Sequence, residues 1–333
     1  HSPSRRQATH DSSMSAPAAD DPHRELFGRV LARLPAARSA HERGRLAVQL
    51  RQYVETEFQE LDSDTFGRLM ADLNSKLRDL LASPDAGAKR GALAAIDALI
   101  EAEMEENSLI RFVNHLRNVF QDPAAYASPE VLMDAAKTVG HLAREAGHVA
   151  PELVDFEMRR ALEWLRSHSD PGRLLASLLM LTELARSSPS HFFQIASSLT
   201  PDFLDDIGKP LRDSRLNVRQ ASAQALGACL ALVARRDSAL RTQWHYRVFK
   251  MAMVHARARD HVHGTLLVIG EMLASAPGFV RPRFGDFCKA VLQHRGHKDR
   301  QVRATVIALI PRLAAQHPTA FVQDHMETCL DFL

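Results

Sequence analysis

Apolar residues recur along most of this chain at the three- and four-residue spacing of amphipathic helices. In ELFGRVLARL (25–34), Phe27, Val30 and Leu31 fall on one stripe, as a helix packed on a core requires. No stretch alternates β-branched and polar residues between turn signals, so strands are not expected. Helical stretches of about 12 to 20 residues are separated by short Pro-, Gly- and Ser-rich segments at 83–87, 169–172, 187–190 and 275–278. The pattern predicts an all-α fold.

The helical pattern is also repeated. VRQASAQALGACL (218–230) aligns with AKRGALAAIDALI, VLMDAAKTVGHLA, RLLASLLMLTELA, HVHGTLLVIGEML and VRATVIALIPRLA, which begin at residues 88, 131, 173, 261 and 302. The equivalent apolar anchors, including a looser first copy, are Leu50, Ile96, Val139, Leu181, Leu226, Ile269 and Ile310, separated by 46, 43, 42, 45, 43 and 41 residues. A period of about 40–47 residues with two helices is typical of HEAT repeats. We therefore predict a right-handed α-solenoid of about seven HEAT repeats, each an antiparallel helix pair.

The composition of each second helix agrees with stacking. One helix pair cannot bury all of its apolar surface, so neighbouring pairs stack, and small residues such as Ala221, Gly227 and Gly264 allow close approach. The larger residues of the first helices, Phe156, Trp164, Phe284 and Phe287, are expected to pack on the outer side of these small helices. Two copies carry an Asp before Val-Arg, which predicts repeat ion pairs Asp213–Arg219 and Asp299–Arg303.

Composition indicates where the solenoid begins and which classes of partner the chain does not bind through charge alone. Residues 1–23 are polar and Pro/Ser/Ala-rich, which predicts a disordered tail before a solenoid over 24–333. With 42 Lys and Arg against 40 Asp and Glu, binding to nucleic acid or membranes through charge alone is not expected. Cys229, Cys288 and Cys329 are predicted to be buried free thiols. Without a signal peptide or an apolar run of roughly 18 residues, the sequence predicts a cytosolic or nuclear protein.

Motifs for catalysis are not found in the sequence. It contains no glycine-rich phosphate loop and neither the H-R-D nor the D-F-G motif of protein kinases. The acidic run Glu101, Glu103, Glu105 and Glu106 is interpreted as a solvated connection rather than a pair of catalytic carboxylates. We therefore predict no catalytic, cofactor or metal site in this segment, and a binding or scaffolding role.

Histidines and basic residues cluster between 245 and 263. His261 and His263 are two residues apart and point to different helix faces, so a metal site shared with His245 and His255 is not favoured. HARARDHVH (255–263), with Arg247 and Lys250, is the most basic stretch. It is interpreted as a polar linker, with contact to phosphate or an acidic partner as the alternative.

Five stretches carry a resemblance to a known family. LRQYVETEF, RFVNHLRNVF, FEMRRALEWL, VHGTLLVIGEML and LIPRLAAQHPTAFVQDHM begin at residues 50, 111, 156, 262 and 309. In this order they resemble the N-terminal HEAT solenoid of the target of rapamycin (TOR) kinases. The Ala- and Arg-rich composition favours a fungal-type member. The resemblance implies an intact parent that is a phosphatidylinositol-3-kinase-related Ser/Thr kinase using ATP and Mg, with its kinase domain outside this chain.

The resemblance also implies partners. The arm would dock Raptor, contact the remainder of the TOR chain and help to build a dimeric complex, and a Rheb-type small GTPase would touch Phe112, Asn114 and His115. The expected location is cytoplasmic, with the vacuole or lysosome membrane reached only through partners and no nucleic acid bound. Family members carry a longer insertion where SAPGFVRPR (275–283) stands here, which puts any role of that insertion in doubt.

Two other classes were weighed. A HEAT-type transport or phosphatase-scaffold protein would show an acidic, cargo-binding inner surface, which the alternating Arg and Glu do not indicate. A HEAT-like DNA glycosylase would need a basic groove with aromatic residues, and Trp164 and Trp244 are the sole tryptophans. The last helix, FVQDHMETCLDFL (321–333), has no polar cap, so an open apolar end is expected there.

Overall fold

The computed structural model describes residues 22–56, 61–102, 106–146, 150–167, 170–199, 202–236, 239–257 and 261–331. Within these ranges the chain forms helices and no strand. The helices are α1 (Pro22–Arg33), α2 (Ala40–Thr56), α3 (Ser63–Ala82), α4 (Ala86–Ile100), α5 (Glu106–Val119), α6 (Pro123–Tyr126), α7 (Pro129–Glu145), α8 (Ala150–Ser167), α9 (Pro171–Ser187), α10 (Pro189–Ser198), α11 (Phe203–Gly208), α12 (Leu216–Ala234), α13 (Ala239–Arg257), α14 (Val262–Ser275), α15 (Pro277–Val280), α16 (Phe284–Leu292), α17 (Arg300–Gln316) and α18 (Pro318–Leu330).

The helices form two layers. The inner layer consists of α2, α4, α7, α9, α12, α14 and α17, each packed on the next. The outer layer consists of α1, α3, α5, α8, α11, α13 and α16, with shorter helices beside them, and α18 follows the seventh pair. Successive inner helices contact each other more extensively than successive outer helices do. The predicted all-α fold of stacked helix pairs is confirmed.

The inner helices begin in a common register. Asp85, Asp170 and Asp299 each stand 11 residues before the anchor of their repeat and accept hydrogen bonds from backbone amides of the first helical turn. A carboxylate at this position satisfies amides that have no partner within the helix. The repeat period is therefore marked at both the start and the centre of these helices.

One continuous apolar core runs through the stack. Each anchor lies on its own inner helix, from Leu50 on α2 to Ile310 on α17, and none is more than 8% exposed. Of the large outer residues, Phe287 and Phe284 are buried, and Trp164 is partly buried against the core. Phe156 is 45% exposed, so its expected packing on the inner helices is wrong. It lies instead under the Arg117 guanidinium, 4.0 Å from the ring centroid.

Two glycines show why the inner helices are rich in small residues. A Cβ added to Gly227 would lie 3.0 Å from the Cβ of Glu271 on the next inner helix. A Cβ on Gly264 would lie 2.1 Å from the carbonyl oxygen of Leu211, a backbone atom that cannot rotate away. At Gly264 the Leu211 backbone excludes a side chain, whereas at Gly227 a side chain would have to displace that of Glu271.

The remaining expectations about the chain concern its ends and thiols. Pro22 and His23 begin α1, while residues 1–21 of the predicted tail lie outside the described residues. Cys229, Cys288 and Cys329 are buried free thiols, as predicted.

Residues 275–283 are continuous, forming α15 and a 3-10 turn at Arg281–Arg283. In the described part, no single helix is long and apolar enough to cross a membrane; α14 with Pro277–Leu292 passes that test only as a pair bent by 109°.

The surface of α17 and α18 exposes several apolar side chains. Val322 is 57% exposed, Leu330 64% and Ile307 44%. These side chains have no inner or outer helix packed over them in the part of the chain that is described.

Candidate partner-binding surface

The geometry that the two repeat arginines share differs from the prediction. Arg219 donates to the carbonyl oxygens of Asp213 and Ser214, at 2.8 Å each, and Arg303 donates to those of His297 and Lys298, at 2.7 and 3.0 Å. Each arginine thus ties down the turn that precedes its helix.

The carboxylates of the two predicted pairs have other partners. Asp213 forms a bidentate pair with Arg215, whose hydrogen bonds hold the pKa of Asp213 below its usual value. Asp299 accepts from the amide of Gln301 at 2.8 Å. The expected side-chain pairs Asp213–Arg219 and Asp299–Arg303 are therefore wrong, because the turn carbonyls lie closer to the guanidinium groups and helix capping takes the Asp299 carboxylate.

Polar side chains one repeat apart connect neighbouring inner helices in the first half of the stack. Arg90 on α4 donates to Asp134 on α7 at 2.6 Å, and Asp97 on α4 lies 3.0 Å from Nδ1 of His141 on α7. Both pairs are separated by 44 residues in sequence. The side chains of Arg90 and Asp134 are 27% and 28% exposed, so this pair lies at the surface of the inner layer.

A histidine connects three inner helices in the second half. Nε of Arg219 on α12 donates to Nδ1 of His263 on α14 at 3.2 Å, and Nε2 of His263 lies 3.1 Å from the hydroxyl of Thr305 on α17. The Thr305 hydroxyl donates to the Gln301 carbonyl, so it accepts from His263. Burial, together with Arg219, lowers the pKa of His263, which favours the neutral ring that this arrangement needs.

The outer layer has its own connections between repeats. Arg117 on α5 donates to Glu157 on α8 at 3.3 Å, and Glu157 also pairs with Arg160. Burial raises the pKa of Glu157 even though both arginines favour its ionised form. Further along, Arg166 on α8 donates to Asp206 on α11 at 2.7 Å. These contacts hold the outer helices in a fixed relation to one another.

The residues expected to contact a small GTPase do not share one surface. Phe112 is fully buried in the core and cannot touch a partner, so this part of the expectation is wrong: its position on α5 faces the stack. Asn114 is exposed, and His115 is half-buried beside a cavity of about 290 Å³. Burial lowers the pKa of His115.

The histidines of the basic stretch take separate structural roles. His263 bridges helices as above, His245 is buried with its pKa lowered by burial, and His261 precedes α14 with a positive φ of 74°. The side chain of His255 and residues 258–260 lie outside the described part, as do Glu103, Glu105 and the side chain of Glu106. Among the described residues, no group of three His, Cys, Asp or Glu could hold a metal ion.

A groove opens on the outer layer between α13 and the segment formed by α11 and the 3-10 turn Lys209–Arg212. Its volume is about 760 Å³, and Lys209, Arg212, Lys250 and Tyr246 are among the side chains that line it. We call this the basic groove. A smaller cavity of about 340 Å³ on the inner layer is lined by uncharged residues of α12, α14 and α17, including Gln220 and Ala308, together with Glu271 and Arg312.

The sequence of this chain is similar to those of plant TOR kinases. Serine/threonine-protein kinase TOR of Arabidopsis thaliana is 33% identical over 314 residues, which cover 93% of this chain. The TOR kinase of Oryza sativa subsp. japonica is 34% identical over 293 residues, covering 86% of the chain. This chain belongs to the TOR family. It spans 12% of the length of each of these two TOR kinases.

A fungal TOR kinase and a solved repeat structure add less to the assignment than the plant TOR kinases do. Serine/threonine-protein kinase tor1 of Schizosaccharomyces pombe is 30% identical over 291 residues, slightly below the plant TOR sequences, which gives no support to a fungal-type assignment. No protein-family profile matches the chain. A designed armadillo repeat protein aligns over 86% of this chain and 99% of its own, with a TM-score of 0.33 and 13% identity, a likeness too weak to define the curvature.

Proposed function

We propose that this chain is the N-terminal scaffold arm of a TOR kinase, which docks Raptor and supports assembly of a dimeric complex in nutrient and growth signalling. The observation that carries the proposal is the match to TOR kinases across 86–93% of the chain. The described residues of this chain form a stack of helix pairs. Stacked repeats of this kind provide long surfaces for protein partners. Phosphorylation of Ser/Thr, with ATP and Mg, would be carried out by the rest of the parent.

The proposal includes two further partners and a location. The arm contacts the remainder of the TOR chain, and a Rheb-type small GTPase contacts α5 at Asn114 and His115, without the buried Phe112. The parent is cytoplasmic and reaches vacuole or lysosome membranes through its partners. The family match favours this assignment over a transport or phosphatase-scaffold protein.

Capture of purified Raptor by the immobilised chain tests the proposal. The chain is first shown to be folded by its helical circular dichroism and cooperative unfolding, and the heat-unfolded chain serves as the control. Stoichiometric capture by the folded chain alone is expected. A folded chain that captures no Raptor would overturn the proposed docking role.

A further inference from the structure

The exposed face of α13 combines apolar and basic side chains in one stripe. Tyr246, Lys250 and Val254 are spaced four residues apart and therefore lie on the same side of the helix. Tyr246 is 54% exposed and Val254 57% exposed, and all three residues line the basic groove. Single exposed apolar residues are ordinary on protein surfaces, but here two of them flank a lysine at a concave site.

The charge around the groove is positive. Arg247 of α13 is held by Asp205, to which its Nε donates at 3.0 Å, and Lys209 is held by Asp206 at 2.7 Å. Burial would raise the pKa of Asp206, but hydrogen bonds from Lys209 and Arg166 hold it below its usual value, so this carboxylate is ionised. Arg212 and Lys250 add two further cations to the lining. The described residues here therefore carry more positive than negative charge.

The dimensions of the stripe suit a helical segment. From Gln243 to Val254, the lining residues of α13 extend over 11 residue steps, which at about 1.5 Å per residue corresponds to roughly 16 Å. That length matches about three turns of a partner helix lying along the groove. A small anion would occupy only a fraction of the volume of about 760 Å³ and would leave Tyr246 and Val254 without contacts.

We propose that the basic groove binds an acidic amphipathic helix of a partner protein. Apolar side chains of that helix pack on Tyr246 and Val254, and its carboxylates pair with Lys250 and with Lys209, whose side chain is 54% exposed. A nucleic-acid backbone fits less well, because its phosphates and sugars offer no apolar side chains to pack on Tyr246 and Val254. The inference deepens the proposed scaffold function, on which it rests, by assigning one surface to one class of partner.

The test uses the full chain and a synthetic helical peptide of about 14 residues, with Leu along one face and Glu on both sides of it. A scrambled peptide of the same composition and vesicles containing phosphatidylserine are the competing probes. Binding is measured by fluorescence anisotropy for the peptides and by co-sedimentation for the vesicles. We expect the amphipathic peptide to bind and to weaken as salt is raised.

Matched variants localise the binding. Lys250→Glu and Val254→Ala should each weaken the peptide about fivefold or more, as truncation or reversal of a central contact does. Lys289→Glu makes the same charge change at an exposed lysine of α16, and Val322→Ala removes an equally exposed valine (57%), so both variants should bind as the unchanged chain does. A peptide with one Glu replaced by Lys should recover binding to the Lys250→Glu chain.

Several outcomes would overturn the inference. These are no binding of the amphipathic peptide, equal binding of the scrambled peptide, equal losses in the control variants, or vesicle binding with the same dependence on Lys250 and Val254. Capture of Raptor by a chain that binds no peptide would remove this inference and leave the proposed function standing. Peptide binding without Raptor capture would overturn the proposed docking role and leave this inference standing.

Discussion

Two contacts between neighbouring inner helices differ: α4 and α7 are joined by two pairs of ionisable side chains, whereas α12 and α14 meet where a glycine of one helix lies against the other. Between α4 and α7, Arg90 pairs with Asp134 and Asp97 with His141. Between α12 and α14, Gly227 lies directly against Glu271. The helix pairs repeat at nearly the same period in both halves, so one spacing in sequence accommodates two kinds of contact. The ion-paired contact should tolerate substitution better than the glycine contact, because partly exposed charged side chains can move, whereas a Cβ at Gly227 would have to displace the Cβ of Glu271.

The largest expected effect is the same in both halves. Ile96→Ala and Leu226→Ala should each lower the free energy of unfolding by about 2–5 kcal/mol, because each removes a fully buried aliphatic side chain from the core. Urea unfolding followed by circular dichroism measures both, with Leu216→Ala, 37% exposed on α12, as the control. A large cost in one half and almost none in the other would show that the two halves do not share one core.

The next effect should separate a closely packed glycine from an open one. Gly264→Ala should cost about 1–3 kcal/mol, since the new Cβ must displace the Leu211 carbonyl. Gly67→Ala on α3 is the matched control, because a Cβ there meets nothing within 4 Å. It should stabilise the chain by about 0.5–1 kcal/mol through helix propensity alone. Equal effects of the two substitutions in urea unfolding would contradict the close approach at Gly264.

The charged contact of the first half should be weak. A double-mutant cycle on Arg90→Ala and Asp134→Ala should give a coupling of about 0.2–1 kcal/mol, because both side chains are partly exposed. The coupling should fall in about 1 M salt, where the Debye length is short. The exposed pair Arg159–Asp155 on α8 provides the comparison cycle. A coupling that is large and independent of salt would mean that this interface is drier than its exposure indicates.

The smallest effect concerns pH and the histidine of the second half. Since burial lowers the pKa of His263 below the model-compound value of 6.5, the unfolded chain takes up this proton first as pH falls. Stability from this group is therefore complete above about pH 6.5 and is lost below it, down to the folded pKa. His263→Gln, with exposed His41→Gln as its control, should flatten the loss of stability measured between pH 7 and 5. Unchanged slopes would show that burial and Arg219 do not hold the ring neutral against Asp299, which favours the protonated ring.

Two ion pairs between neighbouring repeats could have been predicted from the sequence but were not. Arg90 and Asp134, and Arg166 and Asp206, carry opposite charges 44 and 40 residues apart, close to the repeat period, and a search for charges at that spacing would have found both pairs. Phe112 shows the opposite case. Its place in a motif resembling the family suggested a contact residue, but its position on the stripe of α5 that faces the stack puts it in the core.

The sequence by itself determined the all-α solenoid, its repeat register and the helices on which the anchors lie, because apolar periodicity and a recurring spacing are local properties that stacking only has to satisfy. Tertiary structure alone decided the partners of Asp213, Arg219 and Asp299, and it alone brought α11 and α13 together to form the basic groove. The physical reason is that hydrogen-bond partners and grooves depend on how turns and neighbouring helices are placed to within about an ångström. Spacing along the chain does not specify positions at that scale.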